Sequence, residues 1–272
     1  MKLKDHFLSQ EEFYLQETEQ KGIWKTQPVP EDLAPYYESK DYISHHQDSG
    51  SLKEFVFKFL QTFNLLYKRN IIIEHVGKGA ILLDYGCGAG EFLKKMETDF
   101  TTFGFEPNAD ARNFASKKLN KTLLLDDLAT IEDNSLDAVT LWHVFEHLPN
   151  PDEILEKFYF KLKSTGKLII AVPNPSSHDA KHYREFWAAY DVPRHLFHYS
   201  RNGMLQKMNS EKWTVKKTHS LLLDAFYISA LSEKYQKSSF FWFKGFLRGA
   251  ISNIKALKTG EHSSVIHIIE KK

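Results

Sequence analysis

A disulfide framework is out of reach here: the 272 residues include a single cysteine, Cys87, which leaves no internal partner. Neither sign of charge prevails. With 36 Lys and Arg against 35 Asp and Glu, the summed field is nearly neutral and gives no general basis for binding nucleic acid. Long apolar runs are missing too. No stretch approaches the roughly 20 residues that a membrane span needs, and Met1-Lys2-Leu3-Lys4-Asp5-His6 lacks the apolar core of a secretory signal. The expectation is a cytoplasmic chain, long enough for one large domain with additions rather than two equal ones.

What is present begins with a strand pattern, Ile81-Leu82-Leu83-Asp84-Tyr85, that breaks into Gly86-Cys87-Gly88-Ala89-Gly90 before a helix restarts at Glu91. Glycines at alternate positions allow a tight turn and let a ligand approach bare backbone. The next strand, Thr101 to Glu106, ends in a carboxylate about 20 residues beyond the first glycine, where it accepts hydrogen bonds from ribose hydroxyls. A dinucleotide fingerprint wants a further glycine where Glu91 stands, and a carboxylate there repels a pyrophosphate. A phosphate-free sulfonium such as S-adenosylmethionine meets no such objection, so the turn favours a methyl donor over NAD. Asp84 then orders the turn or reaches the donor's amine, and Cys87 is a small backbone-contact residue with no base beside it. Asp127 and Leu128, after the third strand, border the adenine, unless Asp126 is the inward residue.

Five stations of the chain resemble the class I S-adenosylmethionine-dependent methyltransferases of the type 11/type 23 branch, similar to the quinone-biosynthesis O-methyltransferases. They are Leu83 to Gly90, Gly104-Phe105-Glu106-Pro107, Leu125 to Leu128, Leu136 to Leu148, and Gly166 to Asn174, within a resemblance over roughly residues 80 to 220. It implies S-adenosylmethionine as cofactor, with Asp84, Gly86, Cys87, Gly88, Gly90, Glu106, Pro107, Asp127, Leu128 and His143 around it. It also implies a doubly wound, mostly parallel seven-stranded α/β sheet with its last strand antiparallel. The alternating pattern supplies the strands: 81–85, 101–106, 121–125, 136–142, 167–172, 213–219 and 264–270, with helices between them.

Around that methyltransferase domain (79–272) the chain divides further. Residues 1–30 read as a small β-hairpin module ended by Pro28-Val29-Pro30. Related enzymes often carry a zinc ribbon there; its cysteines are absent here, which makes the module a metal-free remnant. Residues 31–78 read as a helical cap in which Phe55, Phe59, Leu60, Phe63, Leu66 and Tyr67 keep helical spacing as a core-facing stripe. In the methyltransferases that the chain resembles, this segment closes over the cofactor. Tyr42 and His45 therefore either cap the donor's methionine end or pack the cap on the sheet.

His143-Val144-Phe145-Glu146-His147 matches a zinc pattern, but it follows directly on a strand and is broken by Leu148-Pro149-Asn150-Pro151, so no metal is expected. Methyl transfer is an in-line displacement in which the protein mainly aligns donor and acceptor and excludes water. If the acceptor is a hydroxyl, a histidine suits the removal of its proton. His195, in Tyr190 to Ser200, is the preferred base or acceptor-orienting group, with His143 the other candidate. Arg194 binds an anionic part of the acceptor or Asp191, or simply locks the loop with His195.

The helical insertion at about 224–258, dense in aromatics around Phe240-Phe241-Trp242-Phe243, is open to three readings: a lid over an apolar acceptor, an interfacial helix with Lys244, Arg248, Lys255 and Lys258 toward lipid headgroups, or packing against the sheet or a second subunit. Membrane contact is not the favoured one. The function expected is methyl transfer to an oxygen of a small or lipid-like acceptor, with no nucleic-acid partner and the oligomeric state open. The competing readings are a non-catalytic S-adenosylmethionine-binding module and a nicotinamide-dependent oxidoreductase.

Overall fold

The computed structural model describes residues 1–37 and 52–272, with side chains of the first helix from Leu60 onward. Three short strands come first, β1 (Lys2–Lys4), β2 (Glu12–Glu17) and β3 (Ile23–Gln27), with Leu3, Phe13, Ile23 and Thr26 turned inward and buried. They pair antiparallel in that order, and β9 (Phe197–Tyr199) adds a fourth strand beside β3. The N-terminal module thus shares its sheet with the segment that carries His195. Nothing in this four-stranded sheet supports its reading as a zinc-ribbon remnant.

The larger sheet has the order β10-β11-β8-β7-β4-β5-β6. Its strands are β4 (Ile81–Tyr85), β5 (Thr101–Phe105), β6 (Leu123–Leu125), β7 (Leu136–Trp142), β8 (Leu162–Pro173), β10 (Trp213–Ser220) and β11 (Ser264–Lys271). All pairings are parallel except those of β11, which runs antiparallel to both neighbours, as the resemblance implies. Period-two alternation fills both faces, because crossover helices cover each side of a parallel sheet. Leu83, Val139, Leu168 and Ile269 go to one core, and Leu82, Ala138, Ile169 and Ile268 to the other. The strand order reverses between β4 and β7, which opens a crevice at their carboxyl ends.

Helices α1 (Leu52–Val76), α2 (Glu91–Met96), α3 (Ala109–Lys118), α4 (Pro151–Lys161), α5 (His178–Tyr183) and α6 (Arg201–Met208) connect these strands. Asn108 and Ser200 cap α3 and α6 through their side chains. The stripe expected on α1 needs correction. Ile71 and Ile72 are the buried residues, packed with Phe92, Met96 and Ile169, whereas Leu60, Phe63 and Leu66 are exposed. Tyr67 of that stripe, with Leu65, is partly buried against the same core, so the side of α1 that faces the sheet runs through Leu65, Tyr67, Ile71 and Ile72. The insertion forms two helices, α7 (Leu222–Tyr235) and α8 (Phe241–Thr259), packed on each other.

The loop into β6 hangs on one carboxylate. Glu97 Oε1 accepts the backbone N–H groups of Asn120, Lys121 and Thr122 at 2.7, 2.7 and 3.1 Å. Burial acts to raise its pKa, but these bonds and Lys94 hold it down at about 2. Glu97→Ala leaves three amides without their acceptor and is expected to destabilise the fold by about 2–3 kcal/mol, measurable as a lowered urea midpoint. The loss should fade in acid. A carboxyl with a depressed folded pKa stabilises fully above its unfolded value near 4.5 and ceases to as pH falls toward 2.

Candidate active site

The glycine turn leaves β4 at the switch point. Gly86, Gly88 and Gly90 have φ of +78°, +54° and +79°, a region that side chains rarely adopt. At Gly86 a Cβ would come within 2.5 Å of Val144, and at Gly88 it would meet nothing within 4 Å. The first glycine therefore lets the loop after β7 press against the turn, and the second faces open space with bare backbone. The N–H groups of Gly86 and Cys87 both donate to the Phe105 carbonyl, at 2.8 and 3.0 Å. Burial pushes the Cys87 thiol well above its ordinary value, which leaves it protonated and inert.

Glu106 stands over the turn, with Oε2 accepting from Gly88 N at 2.8 Å and Oε1 from Asn108 N at 2.9 Å. Pro107 beside it is exposed. Asp127 sits in the loop after β6, where its side chain accepts from Ala129 N at 3.0 Å, while Leu128 is buried in the core and Asp126 turns to Arg112. Asp84 is buried and accepts from Thr140 Oγ1 at 2.7 Å; burial carries its carboxyl up to about 7. Lys68 of α1 lies near it, with Nζ 4.5 Å from the centre of the Trp142 ring, and interacts with both Asp84 and Asp224. Glu91 corrects part of the sequence argument. It pairs with Lys118, so its charge is neutralised locally and opposes a pyrophosphate less than the bare residue implies. Tyr42 and His45 lie outside the described residues.

The loop after β7 carries the titratable groups. His143 holds a left-handed backbone, φ +57°, a strain of about 1–3 kcal/mol for a side chain of this kind. Its N–H donates to the Ala171 carbonyl at 3.0 Å, and its Nε2 lies 2.9 Å from Asp224 Oδ2, in the first turn of α7. Burial alone would lower its pKa, but Asp224 and Glu146 carry it up to about 9. His143 is thus an imidazolium at neutral pH, which suits it to fix charge rather than to accept a proton.

Glu146 is 1% exposed, and neither carboxylate oxygen has a hydrogen-bond partner among the described residues. Three imidazoles surround it: His143 Nδ1 at 3.4 Å, His195 Nε2 at 3.9 Å, and His147, whose ring packs against that of His195 with centroids 4.5 Å apart. His195 Nδ1 faces the Ala189 carbonyl at 3.0 Å. A carbonyl only accepts, so Nδ1 carries the proton and Nε2 the lone pair. Burial, then His147, lowers the His195 pKa to about 4, so the ring is neutral.

Of the readings open for Arg194, the structure shows the pairing with Asp191, which locks the loop. The guanidinium is buried between Asp191, Asp5 and the Tyr36 carbonyl. The metal question is also redrawn. His143 and His147 do not act together; instead Glu146, His147 and His195 each bring a ligand atom within 4.8 Å of the other two. Glu146 is marked in the sequence only as part of the His-x-x-Glu-His run, and Asp224 and Lys68 carry no local signal at all.

Comparison with known proteins is consistent with this geometry. A family model described as a methyltransferase domain matches residues 54–212. An uncharacterised methyltransferase of Geobacillus thermodenitrificans is 30% identical over 100 residues, 34% of this chain and 46% of that protein. A ubiquinone biosynthesis O-methyltransferase of Xanthomonas oryzae pv. oryzae is 29% identical over 133 residues, 44% of this chain and 55% of that one. The chain spans about half the length of the curated relatives it matches. Among solved structures, geranyl diphosphate C-methyltransferase from Streptomyces coelicolor A3(2), in complex with S-adenosyl-L-homocysteine, aligns with a TM-score of 0.58 at 12% identity, covering 88% of this chain and 96% of that one. Mycolic acid cyclopropane synthase aligns with a TM-score of 0.52 at 15% identity, covering 76% and 84%. Both structural likenesses speak for the fold alone.

Proposed function

The chain belongs to the class I S-adenosylmethionine-dependent methyltransferase domain family, and from that premise we propose that it methylates an oxygen of a small or lipid-like acceptor, with His195 as the base. The donor supplies an electrophilic methyl group and leaves as a neutral thioether. The turn from Gly86 to Gly90 and the Glu106 carboxylate hold its adenosine and methionine parts. Asp84, poised near neutrality by burial, gains charge when a cation comes near it, which suits a sulfonium that also bears an ammonium.

The observation that carries the reading is the protonation pattern around Glu146. A neutral His195 presents a lone pair on Nε2, with the Glu146 and Asp191 carboxylates each 3.9 Å away to stabilise the imidazolium that forms when it takes the acceptor's hydroxyl proton. His143, already charged and tied to Asp224, positions the loop. Oxygen as the methylated atom is supported by the O-methyltransferase among the relatives.

The first test is calorimetric titration with S-adenosylmethionine, S-adenosylhomocysteine and NAD. The first two should bind and NAD should not. Glu106→Ala should weaken donor binding about 10–100-fold, the worth of charge-assisted hydrogen bonds to both ribose hydroxyls. Equal affinity in the variant would remove Glu106 from the site, and binding of NAD alone would restore the nicotinamide alternative. Tight donor binding with no turnover across an acceptor screen would support the non-catalytic module instead.

A further inference from the structure

Helix α8 is inverted relative to an ordinary surface helix. Its buried residues are Gly245, Gly249, Ser252 and Ala256, all small and spaced i, i+4, i+7 and i+11, so they form one stripe. That stripe lies so close to α7 that a Cβ on Gly245 would collide with the backbone of Ala230, and one on Gly249 would come within 2.8 Å of Phe226 Cα. The large apolar residues point the other way. Phe243, Ile254 and Leu257 are 65, 64 and 78% exposed, and at 100° per residue they fall on the side of the helix away from the stripe, while Phe246 at its edge stacks on Phe226 of α7. Apolar side chains of this size gathered on one exposed face mark an interaction site.

The charges say what covers it. Lys244, Arg248, Lys255 and Lys258 run along one flank of α8, no acidic residue lies in the helix, and none of the four is ion-paired among the described residues. A second copy of this chain, brought face to face, would set these like-charged flanks near each other. An anionic surface with an apolar interior complements both features. We propose that α8 seats this protein on a membrane rich in anionic lipid, with its aromatic and aliphatic face in the acyl boundary and its cations at the phosphates. No helix among the described residues is long and apolar enough to cross a membrane; α8 lies in the interfacial plane. The hairpin also reaches the crevice, since Asp224 in the first turn of α7 holds His143. The inference does not depend on the methyl-transfer reading, although a lipid-like acceptor would arrive by this route.

The test is sedimentation of the full chain with vesicles of phosphatidylcholine and of phosphatidylcholine mixed with phosphatidylglycerol. The protein should pellet with the anionic vesicles at least about tenfold more tightly than with the neutral ones. F243S/I254S/L257S should weaken that binding by at least about tenfold, and K244E/R248E should abolish the preference for anionic lipid while the apolar face stays intact. Donor titration of both variants should match the parent, because neither touches the crevice. Failure of the parent chain to pellet with either vesicle would overturn the proposal. So would a dimer in light scattering that the triple variant converts to a monomer, since the occupant would then be a second copy. Vesicle binding reads no turnover, so its failure is distinct from failure of the methyltransferase reading.

Discussion

Arg194→Ala is expected to remove about 3–5 kcal/mol of folding free energy, the loss typical when one partner of a buried ion pair is taken away. Its guanidinium donates from Nε and Nη2 to Asp191 at 2.6–3.1 Å, from Nη2 to Asp5 at 3.3 Å and from Nη1 to the Tyr36 carbonyl at 3.1 Å. Alanine leaves the buried Asp5 and the half-buried Asp191 facing each other without a cation. Arg194→Lys keeps the charge but not the forked geometry, and should fall between. A double cycle in urea with Asp191→Asn should be strongly non-additive, because the two share one interaction. A loss below about 1 kcal/mol would mean that solvent screens the pair as it does at a surface.

His195→Ala should lower kcat by about two to four powers of ten, the usual range for a general base, and leave donor affinity unchanged. The pH profile separates this from a structural effect. With the His195 pKa lowered to about 4 by burial, the acid limb of kcat should lie near that value and not near 6.5. The alkaline limb belongs to His143, whose pKa, raised to about 9, marks where the Asp224 pair is lost. The same pair feeds into stability. An imidazole whose folded pKa exceeds its unfolded value of 6.5 stabilises fully below 6.5, and the stabilisation is gone as pH rises through 9. His143→Gln should therefore abolish the alkaline limb in both kcat and melting temperature. An unaltered acid limb in His195→Ala would assign the base elsewhere.

What the chain disclosed in one dimension was whatever depends on neighbours in sequence. The run from Ile81 to Gly90 announces strand, turn and helix because each needs only local residues, and Glu106 follows at a distance fixed by one helix and one strand. The charge constellation is different in kind. Asp224 meets His143 across 81 residues, and Asp5 meets Arg194 across 189, so nothing local marks either partner. β9 is three residues long and exists because β3 offers it an edge. On α8 the aromatics dominate the sequence pattern, whereas the small residues Gly245, Gly249, Ser252 and Ala256 decide which face goes inward.

That stripe puts two standards of tolerance on one helix. Along the seam, α7 reads backbone against backbone, and the addition of a single methyl group at Gly245 already has nowhere to go. On the outer face only bulk and polarity count, so one large apolar residue can replace another without touching the fold. Shape is written on one side of α8 and affinity on the other, and each can change without consulting the other.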